Sequence, residues 1–399
     1  VRVDDVASIE RGAILPGNIA TGTKYVGLEH IDGDGNLVDV QTVVHGELAS
    51  HKFRFGPKHI LFGKLRPYLR KTARPDFEGV CSTEIVPILP GSRVDHGFLF
   101  HFLRHPKTVE KAVLRSTGAN LPRLSPKDLA ALELSLPPLS EQRRIADILD
   151  KADAVRRKRK EAIALTEQLL RSAFLEMFGD PVTNPKEWPV KPLTILGEVT
   201  TGNTPSRDVP DYFGDSIEWI KSDNINTPHH YLTRAAEGLS EKGRAVGRAV
   251  PEGSTLVTCI AGSPNCIGNV GLADREVAFN QQINAVTPRT GVDRRWLYVA
   301  LLVGKPLVQA ASTNSMKGMV SKGKLEQTQW PVPPFDQQRE FGAVFDAVLA
   351  LAQRQEADAV AGDTLFGSLV HGAFRGELAD PVSGRKARLH GAGRCDVRA

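Results

Sequence analysis

The chain has 399 residues, 41% of them hydrophobic and 24% charged, with a formal net charge of +5 at pH 7, which fits two to three globular domains. Its apolar runs fall short of the roughly 18–20 residues that a membrane span needs, and no apolar segment follows a basic start as in a secretory signal. The four cysteines, Cys81, Cys259, Cys266 and Cys395, are too few and too scattered for a disulfide framework or a zinc site, so a cytoplasmic protein is expected rather than a membrane, disulfide-rich secreted or zinc-finger protein.

In chain order, residues 1–136 alternate strand-like runs (24–28, 59–62 and 84–89) with Gly and Pro punctuation and end on a helical stretch over 96–116. Residues 137–180 open on Pro137-Pro138, which closes extended chain and leaves room for a helix start, with Ser140 as an N-cap residue type. Apolar or small side chains then recur at Ile145, Ile148, Ala152, Val155, Ala162, Leu169 and Ala173, and Gly179-Asp180-Pro181 is a stop signal. Residues 181–332 return to the mixed pattern, with a strand-like run at 254–258 and a helical stretch over 293–311. Residues 333–379 start on Pro333-Pro334, with Asp336 as the N-cap type, and carry Phe341, Val344, Val348, Leu351, Leu365 and Leu369 along a second predicted helix. Residues 380–399 read as a basic, disordered extension.

The second helical segment repeats the first. PPLSEQRRIADILD (137–150) returns 196 residues later as PPFDQQREFGAVFD (333–346), with Pro, Pro, Gln, Arg and Asp in identical places. The same offset matches Leu169 to Leu365 and Phe178 to Phe374 without a gap. The blocks ahead of the helices echo each other weakly: VASIERG (6–12) resembles GEVTTG (197–202), and GVCSTEIVPI (79–88) resembles AFNQQINAV (278–286). The expectation is an α+β protein of two similar α/β domains, each followed by a helix of about 36–40 residues, roughly 55–60 Å long. Neither helix can leave an apolar seam exposed, so the two are expected to pair as an antiparallel coiled coil. The expected contacts are Ile145, Ile148, Ala152, Val155 and Leu169 on the first helix, and Phe341, Val344, Val348, Leu351 and Leu365 on the second. Charge supports the antiparallel sense: the first helix carries a basic run, Arg156 to Lys160, and the second carries Glu356, Asp358 and Asp363, with Lys151 expected near Asp363.

Catalytic signatures are missing from the sequence. GMVSKGKL (318–325) imitates a phosphate loop but has Leu325 where a magnesium-binding hydroxyl belongs. Val332-Pro333-Pro334-Phe335 imitates the amino-methyltransferase motif but lacks its polar first residue. His229-His230 stands without further metal-ligand partners in sequence, and no Gly-x-Ser-x-Gly elbow occurs.

Two mixed blocks, each followed by Pro-Pro and a long helix of similar sequence, resemble the specificity subunit of type I restriction–modification systems. The phrases that carry the resemblance are KLRPYLRK (64–71) with GVCSTEIVPI (79–88), STGANLPRLSPKDLAALELSLPPLSEQRRIADIL (116–149) and SMKGMVSKGKLEQTQWPVPPFDQQREF (315–341). The resemblance covers about residues 3–379 and implies target-recognition domains at 1–136 and 181–332, with helical spacers at 137–180 and 333–379. It implies a non-catalytic chain that binds double-stranded DNA, each domain reading one half of a split target. Two modification subunits would methylate adenine with S-adenosylmethionine, and restriction subunits using ATP and magnesium would join where present. No metal or cofactor is then expected on this chain. A spacer of about 55 Å would hold the domains around one and a half duplex turns apart, at about 34–36 Å a turn. The alternatives are the specificity chain of a related type II system cutting on both sides of its site, or a coiled-coil structural adaptor.

Recognition domains vary where they read bases, so the candidate DNA contacts come from residue chemistry: basic and amide side chains in loops. In the first domain these are Lys64, Arg66, Tyr68, Arg70, Lys71, Asn120 and Arg123, and in the second Lys221, Asn224, Lys317, Lys322 and Lys324. Arg suits bidentate reading of guanine, Asn suits adenine, and Lys holds phosphates.

Overall fold

The computed structural model describes residues 1–44, 46–312 and 318–376. The chain divides into two compact units, Val1–Arg159 with the chain from Asp358 onward, and Lys160–Ala357. The division falls inside both long helices, which span Leu139–Phe178 and Phe335–Arg375.

The first unit is built on two small sheets. One has the order Ala7–Ile9, Ile85–Pro90, Ile60–Gly63, Thr72–Ala73, with every pair antiparallel. The other runs Ala13–Ile14, Lys52–Phe55, Gly79–Cys81, Lys24–Val26, Gln41–Thr42, with one parallel pair, Tyr25 opposite Val80. Strand alternation assigns the faces. Ile60, Phe62, Val86 and Ile88 enter the core shared with the helices, while Leu61 and Ile85 enter the core under the second sheet.

The second unit repeats this plan. Its first sheet has the order Gly197–Thr201, Ile283–Pro288, Thr255–Thr258, Val270–Leu272. Its second runs Gly238–Leu239, Phe213–Ile220, Val277–Phe279, Ala249–Val250, again with one parallel pair, Trp219 opposite Ala278. The faces alternate as before: Val257 and Val286 belong to the helix-side core, Leu256 and Ala285 to the other. The weak sequence echoes therefore mark equivalent strands, edge for edge and centre for centre.

Each expected helix over 96–116 and 293–311 is broken in two, as His96–Arg104 with Pro106–Leu114, and Arg294–Val303 with Lys305–Ala310. The break has a local cause. Pro106 holds His105 out of helical conformation (ψ 135°), and Gly304 and Pro306 interrupt the second stretch. The long helices start at Leu139 and Phe335, so Ser140 and Asp336 lie in the first turn rather than at the cap. Gly179 (φ 78°) ends the first helix as its sequence suggests, and Gly376 (φ 78°) ends the second in the same left-handed conformation.

Within each unit the beginning of one long helix meets the end of the other. In the first unit Ile145, Ala146 and Leu149 share a core with Val370 and Ala373. In the second, Leu170, Phe174 and Phe178 share a core with Phe341, Phe345 and Val348. The pairing is antiparallel, as expected, but the seam is not the expected one. Ile145, Phe341 and Val348 are buried, and Ile148, Ala152 and Val344 are half-buried. Val155, Leu169, Leu351 and Leu365 are between 44% and 60% exposed. The buried stripe of the first helix follows four-residue steps, Ile145, Leu149 and Asp153, then Thr166, Leu170, Phe174 and Phe178. Each helix half packs against its own domain as well as its partner, so the stripe turns toward the domain and away from a strict heptad. The expected Lys151–Asp363 pair is also corrected. Asp363 takes Arg156 instead, five residues on, at 2.6 Å from Nε. That guanidinium also lies 4.6 Å from the Phe366 ring.

The identical residues of the repeated motif are explained by this docking. Gln142 is buried, its carbonyl accepts from Asp95 N (2.8 Å), and its amide donates to Pro137 O (2.8 Å) and Arg93 O (3.2 Å). Gln338 is its counterpart, accepting from Asp293 N (3.0 Å) and donating to Pro333 O (2.9 Å). Asp95 and Asp293 in turn cap the domain helices, through Phe98 N and Trp296 N. Asp150 receives Arg74 (2.6 Å) and His101 (2.8 Å), and Asp346 receives Arg295 (2.7 Å). Burial raises the Asp150 carboxyl, but the hydrogen bonds from His101 and Arg74 override it and hold the group well below the usual carboxylate range. Gly97 lets the domain helix come close: a Cβ there would stand 2.9 Å from the Ala146 methyl.

His105 gives the first unit a pH-dependent stability. Burial pushes its imidazole down to about 4, with His371, Lys107, Arg70 and Lys111 adding to the shift. The unfolded chain, with a histidine near 6.5, then binds more protons than the native one between pH 4 and 6.5, so stability falls as pH drops through that window. The loss reaches about 3 kcal/mol by pH 4. His105→Gln is expected to flatten this difference in acid unfolding curves relative to wild type. Parallel curves for the two proteins would overturn it.

Candidate nucleic-acid interface

In the first unit the chain leaves the central strand Ile60–Gly63 and makes a tight turn, Pro67–Leu69, between two arginines with positive φ, Arg66 (52°) and Arg70 (54°). Left-handed backbone at a non-glycine residue costs about 1–3 kcal/mol. Here backbone hydrogen bonds on both sides impose it: Arg66 N donates to Pro122 O (2.7 Å) and Gly63 N to Lys71 O (2.7 Å). A second loop is tied to the first. Leu124 N donates to Lys64 O (2.9 Å), Leu65 bridges Arg123, and Thr117 pairs with Arg123 to close a small hairpin over Asn120.

Lys64, Arg66, Tyr68, Arg70, Asn120 and Arg123 are thus brought onto two adjoining loops, with Arg66, Tyr68, Arg70, Asn120 and Arg123 exposed. Lys64, Arg66 and Arg70 make no side-chain hydrogen bond or ion pair among the described residues. Arg123 is engaged, its Nε donating to Glu84 at 3.1 Å. Lys71 does not belong to this surface. Its ammonium donates to Leu28 O at 2.6 Å and ties two loops of the scaffold.

In the second unit the candidates separate. Asn224 is 8% exposed, accepts from Lys221 N (3.0 Å) and donates to Arg234 O (3.0 Å) and Thr233 Oγ1 (3.3 Å). Its whole amide serves a turn, so it is removed from the contact set. Lys221 pairs with Glu237 at 3.0 Å, and hydrogen bonds from Arg207 and Lys221 hold that carboxyl below its usual range. Lys322 and Lys324 are exposed on the helix Lys322–Glu326, capped by Ser321 as Ser125 caps Pro126–Ala130 in the first unit. Lys317 lies outside the described residues, as does the tail 380–399.

The repeat marks a counterpart of the arginine turn that residue type alone does not. Ile260–Ala261 pairs with Gly318–Met319 where Leu65 bridges Arg123, and the turn Pro264–Cys266 follows as Pro67–Leu69 does. The second unit's counterpart of the arginine turn therefore carries Ser263 and Asn265, both exposed. Neutral side chains gave no charge signal, and only the structural correspondence finds them.

Among the described residues no group of three His, Cys, Asp or Glu side chains could hold a metal ion, and no helix is long and apolar enough to cross a membrane.

The type I restriction modification DNA specificity domain family matches residues 1–165 and 185–359. The chain is 29% identical over 204 residues, half of its length and 45% of the relative, to the type I restriction enzyme EcoDI specificity subunit of Escherichia coli. It is 28% identical over 183 residues, 43% of the chain and 40% of the relative, to the MjaIX specificity subunit of Methanocaldococcus jannaschii. Those matches span less than half the length of the curated relatives. A solved structure described as the basis of complex assembly and conformational transition of the type I R-M system superposes with a TM-score of 0.61 at 22% identity, covering 95% of this chain and 97% of that one. The type I S subunit from M. genitalium gives 0.59 at 13% identity, covering 94% and 95%. With the same sheet order in both units, the same glutamine clamp on both long helices and both blocks matched, this chain belongs to the type I restriction modification DNA specificity domain family.

Proposed function

We propose that this chain is the specificity subunit of a type I restriction–modification complex. It reads a bipartite duplex target, one half with each domain, and directs adenine methylation by modification subunits that bind S-adenosylmethionine. Two modification subunits are the expected complement, and cleavage follows where restriction subunits using ATP and magnesium are present. The chain supplies no catalytic group and acts in the cytoplasm. The observation that carries this reading is the duplication itself: two units of one sheet plan, each anchored to a long helix by the same buried glutamine. A single-site enzyme has no need of that arrangement, and a structural adaptor has no need of an unpaired arginine turn held open by the scaffold.

The direct experiment is single-molecule methylation mapping of DNA from cells expressing this chain with and without its modification partner. A bipartite methyl-adenine motif that depends on this chain is expected. No motif from an assembled complex would reject the reading.

At the level of residues, Arg66→Ala is expected to weaken duplex binding by the complex and to reduce the slope of log affinity against log salt by about one. Lys322→Ala tests the second unit in the same way. Unchanged affinity and slope in both variants would show that neither loop lies on the DNA.

A further inference from the structure

The first unit contains a cavity of about 520 Å³ that shares only Arg70 with the candidate DNA surface. Arg104, His105 and Lys107 of the domain helices line one side, and Phe366, Val370 and His371 of the second long helix line another. Its volume exceeds the need of a bare inorganic anion and falls within the roughly 300–1,000 Å³ of small-molecule sites.

Two features point to an anionic ligand. Two cations, Arg70 and Lys107, line the cavity together with the His105 and His371 rings. Neither Arg70 nor Lys107 has a carboxylate partner among the described residues. Like charges gathered in this way repel until an anion joins them. The second feature is Arg104. One guanidinium nitrogen donates to Gly33 O (3.1 Å), but its Nε is buried with no partner. Arg104 lines the same cavity and adds its positive charge to those of Arg70 and Lys107.

The remainder of the lining suits a flat apolar body. Phe366, Val370 and Pro106 provide apolar surface, and the His105 and His371 rings lie parallel (11°) with centroids 6.3 Å apart. Asp34 and Asp363 also line the cavity, each held by Arg156 (3.6 and 2.6 Å). We propose that this cavity binds an organic phosphate with a flat apolar body, of the nucleoside phosphate class, its phosphate at the Arg70–Lys107 end and its base against Phe366 and Val370. An occupant would brace the domain helices against the second long helix. Arg70 is shared with the candidate DNA surface, and the variants that test the cavity leave it unchanged.

Titration calorimetry of the full chain, without modification or restriction subunits, with AMP, ATP and inorganic phosphate provides the test. Saturable one-site binding of AMP or ATP is expected, at least tenfold weaker in Lys107→Glu and His371→Leu, with circular dichroism showing both variants folded. No saturable binding of either nucleotide, or binding that both variants retain, would overturn the proposal. Inorganic phosphate binding as tightly as AMP would remove the apolar body from it. Should Lys107→Glu instead lower duplex affinity and its salt slope while no nucleotide binds, the cations hold a DNA backbone and the proposal fails.

Discussion

Gln142→Ala is expected to cost the first unit about 3 kcal/mol, and Gln338→Ala to cost the second about 2 kcal/mol. The cost comes from unpaired groups rather than from lost attraction. Truncating Gln142 strands the Asp95 N–H, the Pro137 carbonyl and the Arg93 carbonyl, each of which it pairs through a buried amide. Truncating Gln338 strands the Asp293 N–H and the Pro333 carbonyl. A buried polar group without its partner costs about 1–3 kcal/mol, and water entering the gap recovers part of the sum. Both variants also loosen the turn in which Asp95 or Asp293 caps its domain helix. The neighbouring arginines of the motif, Arg143 and Arg339, are equally identical between the repeats but exposed, so Arg143→Ala and Arg339→Ala are expected to stay within about 0.5 kcal/mol. All four tryptophans, Trp188, Trp219, Trp296 and Trp330, lie in the second unit. Tryptophan fluorescence during denaturation therefore reports Gln338→Ala, while hydrogen exchange at the Asp95 amide reports Gln142→Ala. Equal stabilities for the glutamine and arginine variants would show that the motif does not clamp the helix.

Much of this organisation is legible in the sequence because duplication writes each feature twice. Pro137-Pro138 and Pro333-Pro334 mark both helix starts, and the echo of 79–88 in 278–286 marks a pair of strands in each unit. The functional surface is only half legible. Charge points to the Arg66–Arg70 turn, but its counterpart at Pro264–Cys266 has no charge and is visible only through strand pairing. Asn224 and Lys71 mislead for the opposite reason. Their side chains are of the right chemistry for DNA, yet backbone carbonyls within the fold claim them. Residue type reports what a side chain can bind, and tertiary neighbours decide what it does bind.

The helix seam shows the same rule with a measurable consequence. The heptad pattern favours Leu351 and Leu365 as contacts, yet they are 44% and 60% exposed. Burial in the second unit is instead concentrated on Phe341, whose ring meets Phe174 at 5.4 Å and Phe178 at 5.6 Å between centroids, both edge to face. Phe178 in turn meets Trp296 of the domain helix at 6.5 Å. Phe341→Ala empties the point where both long helices and the domain meet, and a fully buried phenylalanine truncated to alanine costs about 3–5 kcal/mol. Edge-to-face pairs add about 0.5–1.5 kcal/mol each beyond burial, so the upper part of that range is expected. Leu351→Ala and Leu365→Ala remove side chains that are 44% and 60% exposed and are expected to cost no more than about 1 kcal/mol each. Denaturant unfolding followed by tryptophan fluorescence measures Phe341→Ala and Leu351→Ala directly, since both residues lie in the second unit. Comparable losses in these two variants would restore the heptad seam. A large loss confined to Phe341 would establish that the helices are fastened where they meet each other and the domain, and not along a heptad seam.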